Sequence, residues 1–196
     1  MLNIAVFASG RGSNFDALQC AIKEQKFQAK IVIVISNNSL SGALSLARSY
    51  DIPAFHISQQ QFSDSQSFRQ KVLDTLRSFN VNFIVLAGYM KKFDSEIIRA
   101  FPERIINIHP ALLPKFGGNG MFGMRVHQAV IDAKEKESGA TVHFVDEAYD
   151  EGKIIAQQKV EVTQDETAES LAAKILKLEH QLLPSVVKMF SEKELN

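Results

Sequence analysis

Short apolar runs alternate with amphipathic stretches along nearly the whole chain. Asn3 to Ala8 is an apolar run closed by a glycine turn at Ser9 to Gly12. Asn14 to Lys26 then carries a helical pattern, with Ser13 and Asp16 at the spacing of a capping box. Ile31 to Ile35 is five consecutive β-branched residues, which suits a strand buried on both faces. A helix is expected over Gly42 to Tyr50 and a short strand near Ala54 to Ile57. In the next helix Phe68, Val72, Leu76 and Phe79 form one apolar stripe. Phe83 to Ala87 reads as the fourth strand and Ile105 to His109 as the fifth, within a stretch whose Arg104 to Ile108 reads as buried strand. This order implies right-handed crossovers and a mostly parallel sheet covered on both faces. The pattern then changes. Thr141 to Val145 and Ile154 to Val160 look like strands joined by a turn, which favours antiparallel pairing. Leu171, Ile175, Leu178 and Leu182 line a closing helix that Pro184 should kink or end. The expected fold is α/β, a Rossmann-like, doubly wound, mostly parallel sheet with a late antiparallel strand.

Composition narrows the function classes. A chain of 196 residues suits one domain, residues 1–196, with a substantial core. Lys plus Arg and Asp plus Glu both total 22, so the formal charge is zero and the basic footprint of a nucleic-acid binder is missing. Cys20 is the single cysteine, which excludes an internal disulfide and any multi-cysteine metal site. The start, Met1 to Ile4, does not read as a signal peptide, and no apolar run has the length of a membrane span. A cytoplasmic protein without a membrane partner is expected.

Two polar side chains interrupt the fifth strand. Residues two apart in a strand share a face, so Asn107 and His109 project side by side, and Pro110 ends the pairing. An amide donor and a titratable imidazole thus sit together at a strand's carboxyl end, where open parallel sheets bind ligands. An isolated Asn-x-His is more often a structural polar network. The segment from Ser9 to Asn14 opens the first helix, where free N–H groups and the helix dipole favour a phosphate. It is not a dinucleotide fingerprint, because Phe15 stands where a third glycine would fall and no acid follows the second strand. A monophosphate is the expected ligand, and a plain capped turn is the alternative. Gly88 to Phe93 leaves the fourth strand toward the same crevice. Lys115 to Arg125 holds Gly117, Gly118, Gly120 and Gly123, so it is expected to be a mobile loop. Asp146 to Gly152 reads as a turn, and turn formation alone would explain its acids.

Taken in order, Ser-Gly-x-Gly-Ser-Asn, Ala-Gly-Tyr-Met, Asn-Ile-His-Pro-x-Leu-Leu-Pro, Val-His-Phe-Val and Asp-Glu-Gly resemble the phosphoribosylglycinamide formyltransferases. These are folate-dependent enzymes of purine synthesis, and the resemblance covers essentially the whole chain. It implies a formyltransferase fold and transfer of a formyl group from 10-formyltetrahydrofolate to the amine of phosphoribosylglycinamide. It places the ribonucleotide phosphate on Gly12, Ser13 and Asn14, with Glu179 near the ribose. It places the folate against Met90, Lys91, Lys92 and Phe93, with Asn107 near the formyl group. His109 and Asp150 match the catalytic pair. There are departures. Ser65 and Gln66 stand where some members carry a basic folate contact, and the 117–123 loop lacks a Pro-Gly form found in some relatives.

The residue types suit that chemistry. Attack on the formyl carbon gives a tetrahedral intermediate with a developing oxyanion, for which the Asn107 amide and a protonated His109 are donors. Asp150 would favour the charged imidazole, and His109 can relay a proton toward the departing nitrogen. No metal is implied. His56, His127, His143 and His180 form no ligand cluster in the sequence, although His143 is a plausible neighbour of the site. Small-molecule substrates and a monomer or homodimer are expected. The alternatives are hydrolysis of formyltetrahydrofolate by the same three groups and a non-catalytic nucleotide-binding module.

Overall fold

The computed structural model describes residues 1–25 and 27–193. Among them one sheet has the strand order β3-β2-β1-β4-β5-β6-β7. The strands are β1 (Leu2–Phe7), β2 (Ala29–Ser36), β3 (Ala54–His56), β4 (Phe83–Leu86), β5 (Ile105–His109), β6 (Glu137–Phe144) and β7 (Ile154–Glu161). The helices are α1 (Ser13–Gln25), α2 (Gly42–Ser49), α3 (Ser65–Ser78), α4 (Ser95–Ala100), α5 (Met124–Asp132) and α6 (Ala168–Lys193). β1 to β5 pair in parallel, whereas β6 is antiparallel to both of its neighbours. One reversed strand therefore accounts for the late change of pattern.

The pleat of the strands divides the core in two. Leu2, Ile4, Val6 and Ala8 pack with Phe15 and Leu18 of α1, Leu44 of α2 and Leu171, Ile175 and Leu183 of α6. Ala5 and Phe7 point to the opposite face, toward Val72 and Leu76 of α3 and Ile97 of α4. Full burial of each such aliphatic or aromatic side chain contributes roughly 1.5–3 kcal/mol, which holds helices to both faces. The strand order reverses between β1 and β4. Loops leaving their carboxyl ends diverge there and open a crevice. The end of β5 stands beside it.

Several local expectations change. α1 starts at Ser13, so the cap position falls on Gly12, whose carbonyl accepts from the Asp16 N–H at 2.9 Å. Ser13 and Asp16 therefore do not form a capping box; the Asp16 carboxylate accepts a short hydrogen bond from the Tyr50 hydroxyl instead. The expected end of this helix, Lys26, lies outside the described residues. β5 runs over Ile105–His109 as expected, with Arg104, the start of the buried run, lying just before it. Pro184 does not end α6, which runs on to Lys193. Leu182, Leu183, Val186 and Val187 are buried on either side of it, and that packing outweighs one missing N–H donor. α4 and α5 have no counterpart in the sequence reading. No helix among the described residues is long and apolar enough to cross a membrane.

Candidate active site

A cavity of about 870 Å³ lies at the carboxyl ends of β1, β4 and β5. Residues 10–14, 87–91 and 107–110 line it from those three strand ends. Residues 118–124 form a further wall, Tyr149 and Asp150 close one side, and α6 contributes Glu169 through Glu179 on another. The glycine-rich stretch that resembled a loose loop is thus part of the cavity, and its end feeds α5.

Asn107, His109 and Asp150 line the cavity and meet there with His143, which stands behind Asn107 and Asp150. Asn107 and His143 are direct cross-strand partners, and the Asn107 amide lies 3.1 Å from His143 Nε2. His143 Nδ1–H donates to the Phe144 carbonyl at 2.8 Å. With Nδ1 committed to that carbonyl, His143 turns Nε2 toward Asn107 and Asp150. The same amide donates to Asp150 Oδ1 at 3.4 Å, a long contact that yields easily. Asp150 Oδ1 is 3.5 Å from His143 Nε2, and its Oδ2 is 3.6 Å from His109 Nδ1. Backbone groups fix this set. His109 Nε2 donates to the Phe116 carbonyl at 2.8 Å, and the Gly118 N–H donates to Asp150 Oδ2 at 3.0 Å. Two residues of one loop thereby hold both members of the pair. Thr141 braces the turn after His109, donating to the Ala111 carbonyl at 2.6 Å and accepting from the Leu113 N–H at 3.2 Å.

The electrostatics differ from the simplest sequence expectation. Burial lowers the His109 pKa below its ordinary value; Asp150 and the Phe116 hydrogen bond oppose this but do not overcome it. His109 is therefore predominantly neutral at pH 7, with Asp150 keeping protonation accessible rather than complete. Burial would raise Asp150, yet the His143 hydrogen bond, the His109 charge and the Gly118 N–H together hold it below the usual carboxylate value. Asp150 also has φ +57, a backbone region that Asp and Asn tolerate. Its turn geometry and its place in the site coexist.

At the other end of the cavity, the Asn14 amide donates to Glu179 Oε2 at 3.1 Å, joining α1 to α6. Burial pushes Glu179 up to about 7 against the opposing Asn14 hydrogen bond. Gly12 has φ +87, and a Cβ there would stand 2.8 Å from Ala43 Cα of α2. Helix packing alone therefore demands this glycine. Ser9 ties this loop to the next, donating to Asn37 Oδ1 at 2.6 Å and accepting from the Met90 N–H at 2.9 Å.

Of the residues expected to hold ligands, Gly12, Ser13, Asn14, Met90, Lys91, Asn107, His109, Asp150 and Glu179 line this one cavity. Lys92 and Phe93 do not. Phe93 is buried against Phe7 and Tyr89 beneath the loop, and the Lys92 ammonium lies 5.9 Å from the Tyr149 ring centroid. His127 of α5, Phe122 and Tyr149 also line the cavity and were not singled out from the sequence. Val126 and Val130 share a face of α5 at helical spacing, a signal that was present but lay just past the glycine-rich run. No group of three His, Cys, Asp or Glu side chains among the described residues could hold a metal ion.

A family model described as formyl transferase matches residues 2–187. The chain is similar to the chloroplastic phosphoribosylglycinamide formyltransferase of Vigna unguiculata, with 44% identity over 192 residues, covering 98% of this chain and 62% of that protein. It thus spans less than two thirds of the length of this plant relative. The phosphoribosylglycinamide formyltransferase of Bacillus subtilis (strain 168) is 37% identical over 188 residues, 96% of this chain and 94% of the relative. Among solved structures, glycinamide ribonucleotide transformylase 1 from Symbiobacterium toebii matches with a TM-score of 0.91 and 33% identity, covering 98% of this chain and 89% of that one.

Proposed function

The chain belongs to the formyl transferase family, and within it we propose that this protein moves the formyl group of 10-formyltetrahydrofolate onto the amine of phosphoribosylglycinamide, a step of de novo purine (IMP) synthesis. One observation carries this reading. The Asn107, His109 and Asp150 constellation opens into the same cavity as the helix start at Gly12 to Asn14. Residues 1–196 would act as one catalytic domain.

The cavity residues fit both ligands. Ser13 and Asn14 at the start of α1 present N–H groups and a helix dipole to a phosphate. Glu179, beside Asn14, suits a ribose hydroxyl. Met90, Phe122, Met124 and Tyr149 are 38–47% exposed on the cavity wall, a surface that a flat heterocyclic ligand would cover. Lys91 lies beside them and suits a carboxylate. The folate supplies the formyl carbon when bound.

Attack by the amine places negative charge on the formyl oxygen, and preorganised donors at that point lower the barrier. Asn107 can turn one N–H to it by releasing the weak 3.4 Å contact with Asp150. His109 is held through Nε2 by Phe116, so its protonation occurs at Nδ1, facing Asp150. Transfer removes one proton from the amine and returns one to the departing nitrogen. The His109–Asp150 pair can hold that proton between the two events. His143 keeps Asn107 oriented from behind.

The test is to mix purified protein with formylfolate and the ribonucleotide and follow deformylated folate by absorbance. Turnover that requires the ribonucleotide is expected. Turnover without it would replace transfer by hydrolysis, and binding without turnover would leave a nucleotide-binding module.

A further inference from the structure

His127 is a titratable side chain in the cavity that the proposed chemistry does not use. It sits on α5, is 6% exposed, and lines the cavity wall. Val126 and Val130 anchor the helix in the core on either side of it. Its Nδ1 is fully buried with no hydrogen-bond partner, so the ring is not fixed in place by a polar contact at that atom. A buried imidazole normally has its nitrogens paired. Burial, together with the nearby His109, lowers its pKa, so the ring stays neutral at pH 7. A neutral imidazole carries one N–H. With Nδ1 sealed, the proton is better placed on Nε2, the nitrogen left to meet a ligand.

The position of α5 says which ligand. α5 packs against α6, the helix that carries Glu179, with Val130 in one core cluster with Leu171 and Ile175 on the stretch of α6 that leads to Glu179. The apolar wall of Met90, Phe122, Met124 and Tyr149 reaches α5 only at its first residue, Met124, and His127 lies further along the helix. We infer that His127 is a ribonucleotide-binding residue, whose Nε2–H donates to an oxygen of the phosphorylated sugar. This rests on the ribonucleotide reading of the site.

Calorimetric titration of phosphoribosylglycinamide alone tests it, with formylfolate titrated in parallel as a check on the folded site. His127→Phe keeps a flat ring without the donor and should weaken ribonucleotide binding about tenfold, the scale of one hydrogen bond. Gln places its amide nitrogen near the Nε2 position, whereas Asn reaches only as far as Nδ1. His127→Gln should therefore bind within about threefold of wild type, on the same scale, while His127→Asn behaves like His127→Phe. Formylfolate affinity should hold in all three. Wild-type ribonucleotide affinity in His127→Phe, equal losses in the Gln and Asn variants, or loss confined to formylfolate would each overturn the assignment. If the unaltered protein fails to bind the ribonucleotide at all, the functional reading falls first, whatever His127 does.

Discussion

His109 Nδ1 and Asp150 Oδ2 stand 3.6 Å apart, close enough for charge to act and too far for a direct hydrogen bond. Asp150 therefore influences His109 mainly through its field. The Phe116 carbonyl, rather than the carboxylate, sets the ring's orientation.

Asp150→Asn removes that field and keeps the side-chain size and the tolerance for φ +57. Asp150 is the main influence raising the His109 pKa, so its loss moves that pKa further down. Activity that needs the imidazolium is lost as pH rises through this pKa, so the alkaline limb must shift to lower pH. The melting temperature should change little. A pH–rate profile and a melting curve on the same variant check this; an unmoved alkaline limb would mean that Asp150 only shapes its turn.

His109→Ala removes the group that holds the proton between the amine and the departing nitrogen and should lower turnover by about 10²–10⁴. Ribonucleotide affinity should be retained, because Gly12, Ser13 and Asn14 lie across the cavity. Steady-state kinetics with a separate binding titration distinguish the two effects. Near-normal turnover removes His109 from the mechanism.

Glu179→Gln reports on a buried acid. The carboxyl of Glu179 rises from 4.5 to about 7 on burial, so the folded protein holds a proton there that the unfolded chain releases. Its contribution to stability is full below 4.5 and is lost as pH rises to about 7. The Gln variant cannot ionise, so its melting temperature should decline less than wild type across that window. Ribonucleotide KM should rise in the same protein. Parallel declines in melting temperature would show that Glu179 is not the group titrating.

Thr141→Val is an isosteric probe of the turn after His109. It strands the Leu113 N–H and the Ala111 carbonyl in a fully buried setting. Leaving such groups unpaired costs about 1–3 kcal/mol each at most. Denaturant unfolding should register the loss, and turnover should fall although Thr141 itself does not line the cavity. A variant of unchanged stability would mean that the turn is held by other contacts.

Much of the scaffold was legible because β1, β2, β4 and β5 are buried on both faces and read as continuous apolar runs. The reversed β6 announced itself through the missing helix between β6 and β7. The Asn107–His109 pairing followed from strand alternation. What stayed hidden was set by long-range packing. His143 was expected as a neighbour of the site, but its direct pairing with Asn107 depends on β6 lying antiparallel to β5, a register that nothing near residue 143 in sequence indicates. His127 was obscured because glycines at 117–123 resembled a loop that continues. The apparent capping box failed for a tertiary reason too. Tyr50 of the α2 cap takes Asp16, and Ala43 packs so close to Gly12 that the cap position has no room for a side chain.

The strand order carries one more consequence. β1 and β5 are separated by β4 alone, so the loop after β1 and the pair on β5 lie two strand spacings apart, roughly 10 Å. That span belongs to the hydrogen-bonded ladder and not to any side chain. The sheet acts as a ruler for the acceptor. A molecule whose amine lies much nearer its anionic end cannot reach both places at once, however well either end is recognised. Exchanging the loops would alter which head groups bind, while the permitted length of the acceptor would stay as the ladder sets it.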